Sequence, residues 1–365
     1  MIDVSYASFD KLESFMKDVF IKVSVPPEDA AICADILIES DKRGIDSHGI
    51  GRFKPVYIDR IKDGIQNPVT SFEIVKDYLA TAVVDGHNGM GQVIGKKAMQ
   101  LAINKAKKYG LGMVVARNST HYGIAGYYAT MAANENMIGI TGTNARPSIA
   151  PTFGIDNMLG TNPLTVGLPS DEDFPFVLDC ATSVSQRGKV EHYERINKKM
   201  PEGWVINRDG TSETDPAKAL EGFNKGTCAL APLGGLGEDT GGYKGYGYAT
   251  VVEILSAALQ QGLFLKALNG IDETGKKIPI RLGHFFIAID INAFVEPEKF
   301  KKTTGDILRE LRASTKAPGQ KRIYTAGEKE YLAWLERKDT GVPLNDSLKK
   351  TLKSLIDEYQ LDYQF

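Results

Sequence analysis

Apolar positions at three- and four-residue steps open the chain. Phe9, Leu12, Phe15, Met16, Val19 and Val23 fall on one stripe of a helix, and Pro26-Pro27 then starts a second helix that runs to about residue 41. A third runs from about 48 towards 61, with Gly64 placed to close it in a left-handed cap. From about 82 the pattern changes. Short apolar runs alternate with helical stretches: a strand over 82–85, a helix over 92–108, a strand over 112–116, a helix over 127–136 and a strand over 138–141. Such alternation predicts an α/β layer. Further strands are expected over 164–168, 176–178 and 284–291, with a long helix over about 249–260 between the last two. The tail returns to helices over 297–313, 328–337 and 347–359. No repeat or low-complexity linker interrupts the pattern, so the helical ends are expected to pack together around a central α/β body.

A chain of 365 residues, 42% of them hydrophobic, is long enough for a full-sized core and for two or three domains. Cys33, Cys180 and Cys228 are far apart and odd in number, with no C-x-x-C pair and no Cys/His cluster at metal-ligand spacing. They predict free thiols, no metal site and a reducing compartment. Residues 1–20 are acidic and amphipathic, unlike a secretory leader. The most apolar stretch, 285–295, is broken by Asp290 and falls short of the ~20 residues a membrane span requires. A net charge of −2 lacks the basic footprint of a nucleic-acid binder. The expectation is a cytoplasmic protein with neither a membrane nor a nucleic-acid partner.

The obvious cofactor motif fails on spacing. Gly89-Met90-Gly91-Gln92-Val93-Ile94-Gly95 follows an apolar strand and opens a helix, but it misses G-x-G-x-x-G by one residue, and the next strand ends in Arg117-Asn118 where an acidic residue belongs. Gly241-Gly242-Tyr243-Lys244-Gly245 lacks the Gly-Lys-Ser/Thr end of a Walker loop. Asp46-Ser47-His48-Gly49-Ile50-Gly51-Arg52 is more telling. If Ser47 caps a helix, His48 and Arg52 share one face and offer an imidazole beside a fixed cation. A 2-hydroxy acid dehydrogenase needs both, a base for the hydroxyl proton and a planar guanidinium for the carboxylate. Spacing alone slightly favours the plainer reading, a surface helix start with an incidental histidine.

Ser119-Thr120-His121-Tyr122-Gly123 lies beyond the strand at 112–116, at the carboxyl end where α/β folds place ligands. His121 is thus a second candidate, against an equal chance that it only fixes its loop. His87, His192 and His284 read as turn, surface and strand residues. Leu159-Gly160-Thr161-Asn162-Pro163 and Leu178-Asp179-Cys180-Ala181-Thr182-Ser183 offer hydroxyls and backbone N–H groups suited to pyrophosphate and ribose. Turn chemistry explains them nearly as well. Around Tyr243, Lys244 and Tyr246 the glycines suggest a close backbone approach to a ligand, with Lys244 a candidate phosphate contact.

Taken in order, Asp46-Ser47-His48-Gly49-Ile50-Gly51-Arg52, Thr120-His121-Tyr122-Gly123-Ile124-Ala125-Gly126, Leu159-Gly160-Thr161-Asn162-Pro163 and Gly242-Tyr243-Lys244-Gly245-Tyr246-Gly247 resemble the type-2 malate/L-lactate dehydrogenase family. Its relatives include sulfolactate, ureidoglycolate and diketogulonate oxidoreductases. The resemblance spans nearly the whole chain and implies an α/β fold that is not a Rossmann domain. It divides the chain into a helical substrate-facing segment, 1–75, joined by a helical tail, 315–365, and an α/β nicotinamide-binding body, 76–314. It also implies a homodimer and NAD as cofactor, with NADP the alternative. The implied reaction is hydride transfer between malate and nicotinamide; lactate, sulfolactate, another 2-hydroxy acid or a cyclic imine are alternative substrates. His48 and His121 become the implied catalytic histidines, His48 preferred for the proton, with Arg52 as the carboxylate clamp. Ser47, Tyr57 and Asn144 would complete the substrate side. The implied cofactor contacts are His121, Tyr122, Gly123, Thr161, Asn162, Pro163, Asp179, Ala181, Thr182, Ser183, Tyr243, Lys244, Gly327 and Glu328. One stretch departs from the family pattern: 222–240 is longer than the usual approach to Tyr243-Lys244. The competing class is a nucleotide-binding protein without turnover, which the intact His48, Arg52, His121 and Lys244 argue against.

Overall fold

The computed structural model describes residues 5–365; residues 1–4 of the expected N-terminal segment lie outside the described residues. Helix Phe9–Lys22 buries the predicted stripe, with Leu12, Phe15, Met16 and Val19 turned inward. Helix Pro27–Lys42 follows, with proline at its first position and Glu28 and Asp29 in its first turn, where the helix dipole favours acid. These helices share one core with Val342, Leu344, Leu352 and Leu355 of the tail. A short antiparallel pairing of Ser5–Ala7 with Val342–Leu344 ties the two ends of the chain together.

The third expected helix differs in kind. It starts at Ile50, passes through a wide π-turn over Phe53–Ile58 and resumes over Asp59–Lys62. Gly64 closes it with φ +69°, as its position predicts. Turns of this width are frequent at functional sites, and this one carries Tyr57.

A seven-stranded sheet forms the centre, in the order Glu73–Tyr78, Thr81–Asp85, Leu111–Ser119, Leu282–Asp290, Met137–Thr143, Leu164–Leu168, Phe176–Cys180. One adjacent pair, Thr81–Asp85 with Leu111–Ser119, is parallel; it is joined through helix Gly91–Tyr109. Every other neighbouring pair is antiparallel. The sheet is therefore no doubly wound Rossmann layer, because the late strand Leu282–Asp290 inserts at its centre and runs against both neighbours. Helices Gly91–Tyr109 and Ala125–Asn134 cover one face through Val114, Ala116, Phe286 and Ala288. Helix Gly242–Ala257 covers the other through Val252, against Val115 and Phe285. Each fully buried phenylalanine in this two-sided core is worth about 1.5–3 kcal/mol.

The edge strand Glu73–Tyr78 escapes the sequence pattern because all six of its residues are exposed and carry no inward alternation. Also unforeseen are helices Arg187–Arg195 and Pro216–Lys225 and the antiparallel pair of Val205–Asn207 with Cys228–Leu230, which together build a small separate core. Among the described residues, no helix is long and apolar enough to cross a membrane.

Candidate active site

The His121 loop leaves the sheet between strand Leu111–Ser119 and helix Ala125–Asn134, and side chains from three directions fix it. The Thr120 hydroxyl donates to Gly89 O at 2.8 Å and accepts from Gly91 N at 2.9 Å. The glycine turn therefore receives its own loop, not a pyrophosphate. A Cβ on Gly91 would come within 2.3 Å of Thr120 O and 2.5 Å of His121 O, so glycine is required there by the approach of protein backbone. Below the loop the Tyr122 ring lies between His284 (4.4 Å, 4° between planes) and Tyr128 (4.8 Å, 20°). His284 is in register with Ala116 and Thr143 and bonds Thr143 Oγ1 and Ser119 Oγ, both at 2.7 Å. Burial lowers its pKa to about 3, which keeps the ring neutral and able to bridge two hydroxyls. His284, read from the sequence as a plain strand residue, thus props the loop from beneath.

The ring of His121 is oriented by Tyr57, whose hydroxyl lies 2.6 Å from Nδ1; Gly123 N–H also donates to Nδ1, at 3.3 Å. A backbone N–H can only donate, so neutral His121 carries its proton on Nε2. Among the described residues Nε2 has no hydrogen-bond partner. His121 lines a cavity of about 490 Å³ together with His48, and the two rings lie 5.8 Å apart at 24°. Burial, then the charges of His48, Arg60 and Arg52, push the pKa of His121 well below the ordinary histidine value. His48 is pushed down to about 4, by burial first and by Arg52 second.

His48 sits in a turn before the helix, since Gly49 is extended (φ −91°, ψ −139°) and the helix starts at Ile50. The expected four-residue helical face shared by His48 and Arg52 is therefore absent. Local bonds within the turn bring the two together instead: Ser47 Oγ lies 2.9 Å from His48 Nδ1, and Arg52 Nε donates to Ser47 O at 2.8 Å. The turn is anchored from below by Asp41, whose Oδ2 accepts from Ile50 N at 2.8 Å and whose carboxylate fills the place a Gly49 Cβ would need. From the side, Arg337 grips both oxygens of Asp46, at 2.5 and 3.0 Å, and also bonds Asp41 O. Burial raises the pKa of Asp41 to about 8.

Ser47, Tyr122, Gly123, Asn144, Thr161, Pro163, Asp179, Ala181 and Ser183 line the same cavity as the histidines. Asn144 spends both ends of its amide on protein, donating to Leu263 O and accepting from Gly283 N. Asn162 and Thr182 stand behind the wall: Asn162 bonds Ala249 O and Glu253, and Thr182 bonds the carbonyls of Thr161 and Asn162. Asp179 also faces a neighbouring cavity of about 570 Å³, which Gly327 lines. There its carboxylate accepts from Gly126 N and Thr165 Oγ1. Glu328 is committed to Arg322 and to Thr325 N. Tyr243 and Lys244 line neither cavity and face each other as cation and ring at 5.7 Å. Tyr122 and Ser185 line the first cavity, with their hydroxyl oxygens closed off from it. No group of three or more His, Cys, Asp or Glu with the geometry of a metal site occurs among the described residues.

Residues 7–353 match the family model described as malate/L-lactate dehydrogenase. The chain belongs to that family. It is an oxidoreductase, similar to a malate dehydrogenase from Pyrococcus horikoshii, 46% identical over 95% of this chain and 92% of the relative. The L-sulfolactate dehydrogenase of Methanocaldococcus jannaschii is 43% identical over 95% of each chain. Among solved structures, a malate dehydrogenase from Entamoeba histolytica superimposes with a TM-score of 0.95 at 47% identity, covering 100% of both chains.

In this dehydrogenase family member, sequence reasoning missed Asp41 and His284. Asp41 left one signal, an acid at a buried position of helix Pro27–Lys42, where it follows Ile36, Leu37 and Ile38 inward.

Proposed function

We propose that the protein interconverts malate and oxaloacetate with a nicotinamide cofactor, NAD or NADP. One observation carries the reading: His121, its Nδ1 held by Tyr57 and Gly123, keeps Nε2 without a protein partner on a cavity shared with His48. A bound nicotinamide supplies the redox chemistry by exchanging hydride with C2 of the substrate. The protein orients the substrate and moves the proton. His121 Nε2–H donates to the C2 oxygen, and His48, with Ser47 on its Nδ1, exchanges the proton. Arg52, which meets no carboxylate among the described residues, clamps the C1 carboxylate. In the protein alone both histidines have a low pKa; the substrate's carboxylates raise them toward the range where a proton can pass. Gly327, Thr161 and Ser183 are assigned to the cofactor across the two adjoining cavities.

A homodimer belongs to the same proposal. Helix Gly242–Ala257 is apolar on nearly every side, yet Tyr248 and Ile254 are 56% and 54% exposed, with Tyr243 and Val251 beside them. A helix of that composition is ordinarily buried, and a second copy would bury it. The free state of all three cysteines supports the cytoplasm. The helical segment 1–75 with the tail 315–365 serves as the substrate-facing unit, and 76–314 as the cofactor body. The test follows absorbance of reduced nicotinamide with oxaloacetate, pyruvate, sulfopyruvate and a cyclic imine. Turnover of oxaloacetate supports the proposal, turnover of the imine alone reassigns the substrate, and silence with all four returns the protein to the nucleotide-binding class.

A further inference from the structure

One guanidinium from the tail spans the approach to the His48 turn. Helix Pro27–Lys42 ends just before that turn, and the chain then crosses to Asp46 before Ser47 and His48 follow. Arg337, on helix Glu328–Thr340, bridges the crossing: Nη1 caps the helix end at Asp41 O and joins Nη2 on the Asp46 carboxylate. A cation at a helix C-terminus and a forked grip on a carboxylate are both favourable. Ala333 lies four residues earlier, on the same face of the tail helix. A Cβ on Gly44, whose φ is +73°, would come within 2.9 Å of the Ala333 Cβ. The crossing therefore lies hard against the tail helix at Ala333 and is fixed to it at Arg337.

Folding gains little from this pair. The Asp46 side chain is 57% exposed, and an ion pair open to water contributes little to stability. Its consequence lies one residue on. Ser47 directs two groups of the site, its Oγ toward His48 Nδ1 and its carbonyl toward Arg52 Nε. Holding Asp46 fixes the direction from which Ser47 does so, while Asp41 Oδ2 holds Ile50 N on the other side of His48. We infer that Arg337 is a positioning residue for proton exchange at His48, acting through Asp46 and Ser47 and touching neither substrate nor cofactor. The inference rests on His48 as the proton carrier and deepens that reading. Arg337 lines neither cavity, whereas Trp334 on the same helix lines the neighbouring one. Cofactor affinity thus reports whether the helix itself has moved.

The test is a double-mutant cycle of Arg337→Gln and Asp46→Ala, read by kcat and KM for oxaloacetate, cofactor Kd and melting temperature. Each single variant is expected to lower kcat/KM about 10- to 100-fold, most of it in kcat, as a displacement of about 1 Å at a reacting group can do. Cofactor Kd and melting temperature should stay close to wild type. The double variant should lose no more than the worse single one, because both break the same contact. Arg337→Lys keeps the charge without the fork and should recover only part of the loss. A second readout is the pKa of His48 itself, from an NMR titration whose signal is assigned by its loss in His48→Gln. Arg52 on its own turn and His121, Asp179 and Lys189 around the cavity face His48, and all remain in the variants. A loosened turn admits water, so the value should rise from about 4 toward the ordinary 6.5. Wild-type kcat/KM in Arg337→Gln overturns the inference, and so do additive losses in the double variant. A lower melting temperature with a matching loss of cofactor affinity would make Arg337 structural and overturns it too. Wild-type silence with oxaloacetate, pyruvate and sulfopyruvate removes the dehydrogenase reading alone. The titration then decides: a raised His48 pKa in Arg337→Gln keeps the positioning role, and an unchanged one ends it.

Discussion

Asp41→Asn isolates the group beneath the His48 turn. The substituted amide keeps an oxygen to accept from Ile50 N, the bond Asp41 makes at 2.8 Å, and it fits against Gly49 as the carboxyl does. It cannot ionise. The Asp41 carboxyl has its pKa raised from an ordinary 3.8 to about 8, and a tenfold change in proton affinity is worth about 1.4 kcal/mol. The native protein therefore binds a proton here that the unfolded chain releases from about pH 4 upward. Stability contributed by this group is full below pH 4 and falls as pH rises to about 8, where the loss levels off. The full span amounts to roughly 6 kcal/mol. The amide variant forfeits no such stability. Its other side-chain atom meets no partner, a fixed penalty of about 1–3 kcal/mol that pH does not alter.

The assay is urea unfolding of wild type and Asp41→Asn at half-unit steps from pH 6 to pH 9. The difference in unfolding free energy should move in favour of the variant by about 1.4 kcal/mol per pH unit up to pH 8, then stay flat. A carboxylate that the protein holds ionised, its pKa depressed, would lose stability only below about pH 4 and would leave the two curves parallel over this range. Parallel stability curves across the whole range would refute the reasoning, since they would mean that Asp41 titrates alike in folded and unfolded chains.

Tyr57→Phe removes the hydroxyl that orients His121 and should lower kcat about 10- to 100-fold with little change in melting temperature, read by steady-state kinetics and a thermal melt. Gly91→Ala forces the Thr120-His121 backbone aside and should cost about 1–3 kcal/mol of stability, with cofactor affinity in the folded fraction nearly unchanged by fluorescence titration. Arg52→Lys should raise KM for the keto acid far more than cofactor Kd, because an ammonium loses the planar two-donor grip; an unchanged KM removes Arg52 from the carboxylate. For malate oxidation, kcat/KM should stay level down to about pH 5 and fall only toward pH 4, where His48 gains its proton in the free protein. A fall centred on the ordinary histidine pKa of about 6.5 would mean that His48 is not desolvated.

How far the sequence carries depends on whether an element announces itself locally. Helix Pro297–Ala313 and strand Leu164–Leu168 have the expected bounds because each is set by its own periodicity and punctuation. Strand Leu282–Asp290 is found within a residue or two, yet nothing in its apolar run reveals that it belongs at the centre of the sheet. That place is set by pairing with two strands more than a hundred residues earlier. Hence the alternation of strands and helices describes the layers correctly and is silent on direction, and the sheet proves antiparallel in all pairs but one.

The candidate site divides along the same line. His48, His121, Ser47 and the small polar loops carry chemistry in short motifs, so they stand out in the sequence and meet on one cavity. The supports of those residues do not stand out. Tyr57 reaches His121 across 64 residues, and Arg337 reaches Asp46 across 291. The helical geometry expected to join His48 to Arg52 is absent, and a carbonyl of Ser47 joins them in its place. A motif shows which groups can react; the pKa at which they react is set by burial and by distant charges. An ordinary histidine value thus gives way to about 4 for His48, through a desolvation that no local pattern of residues records.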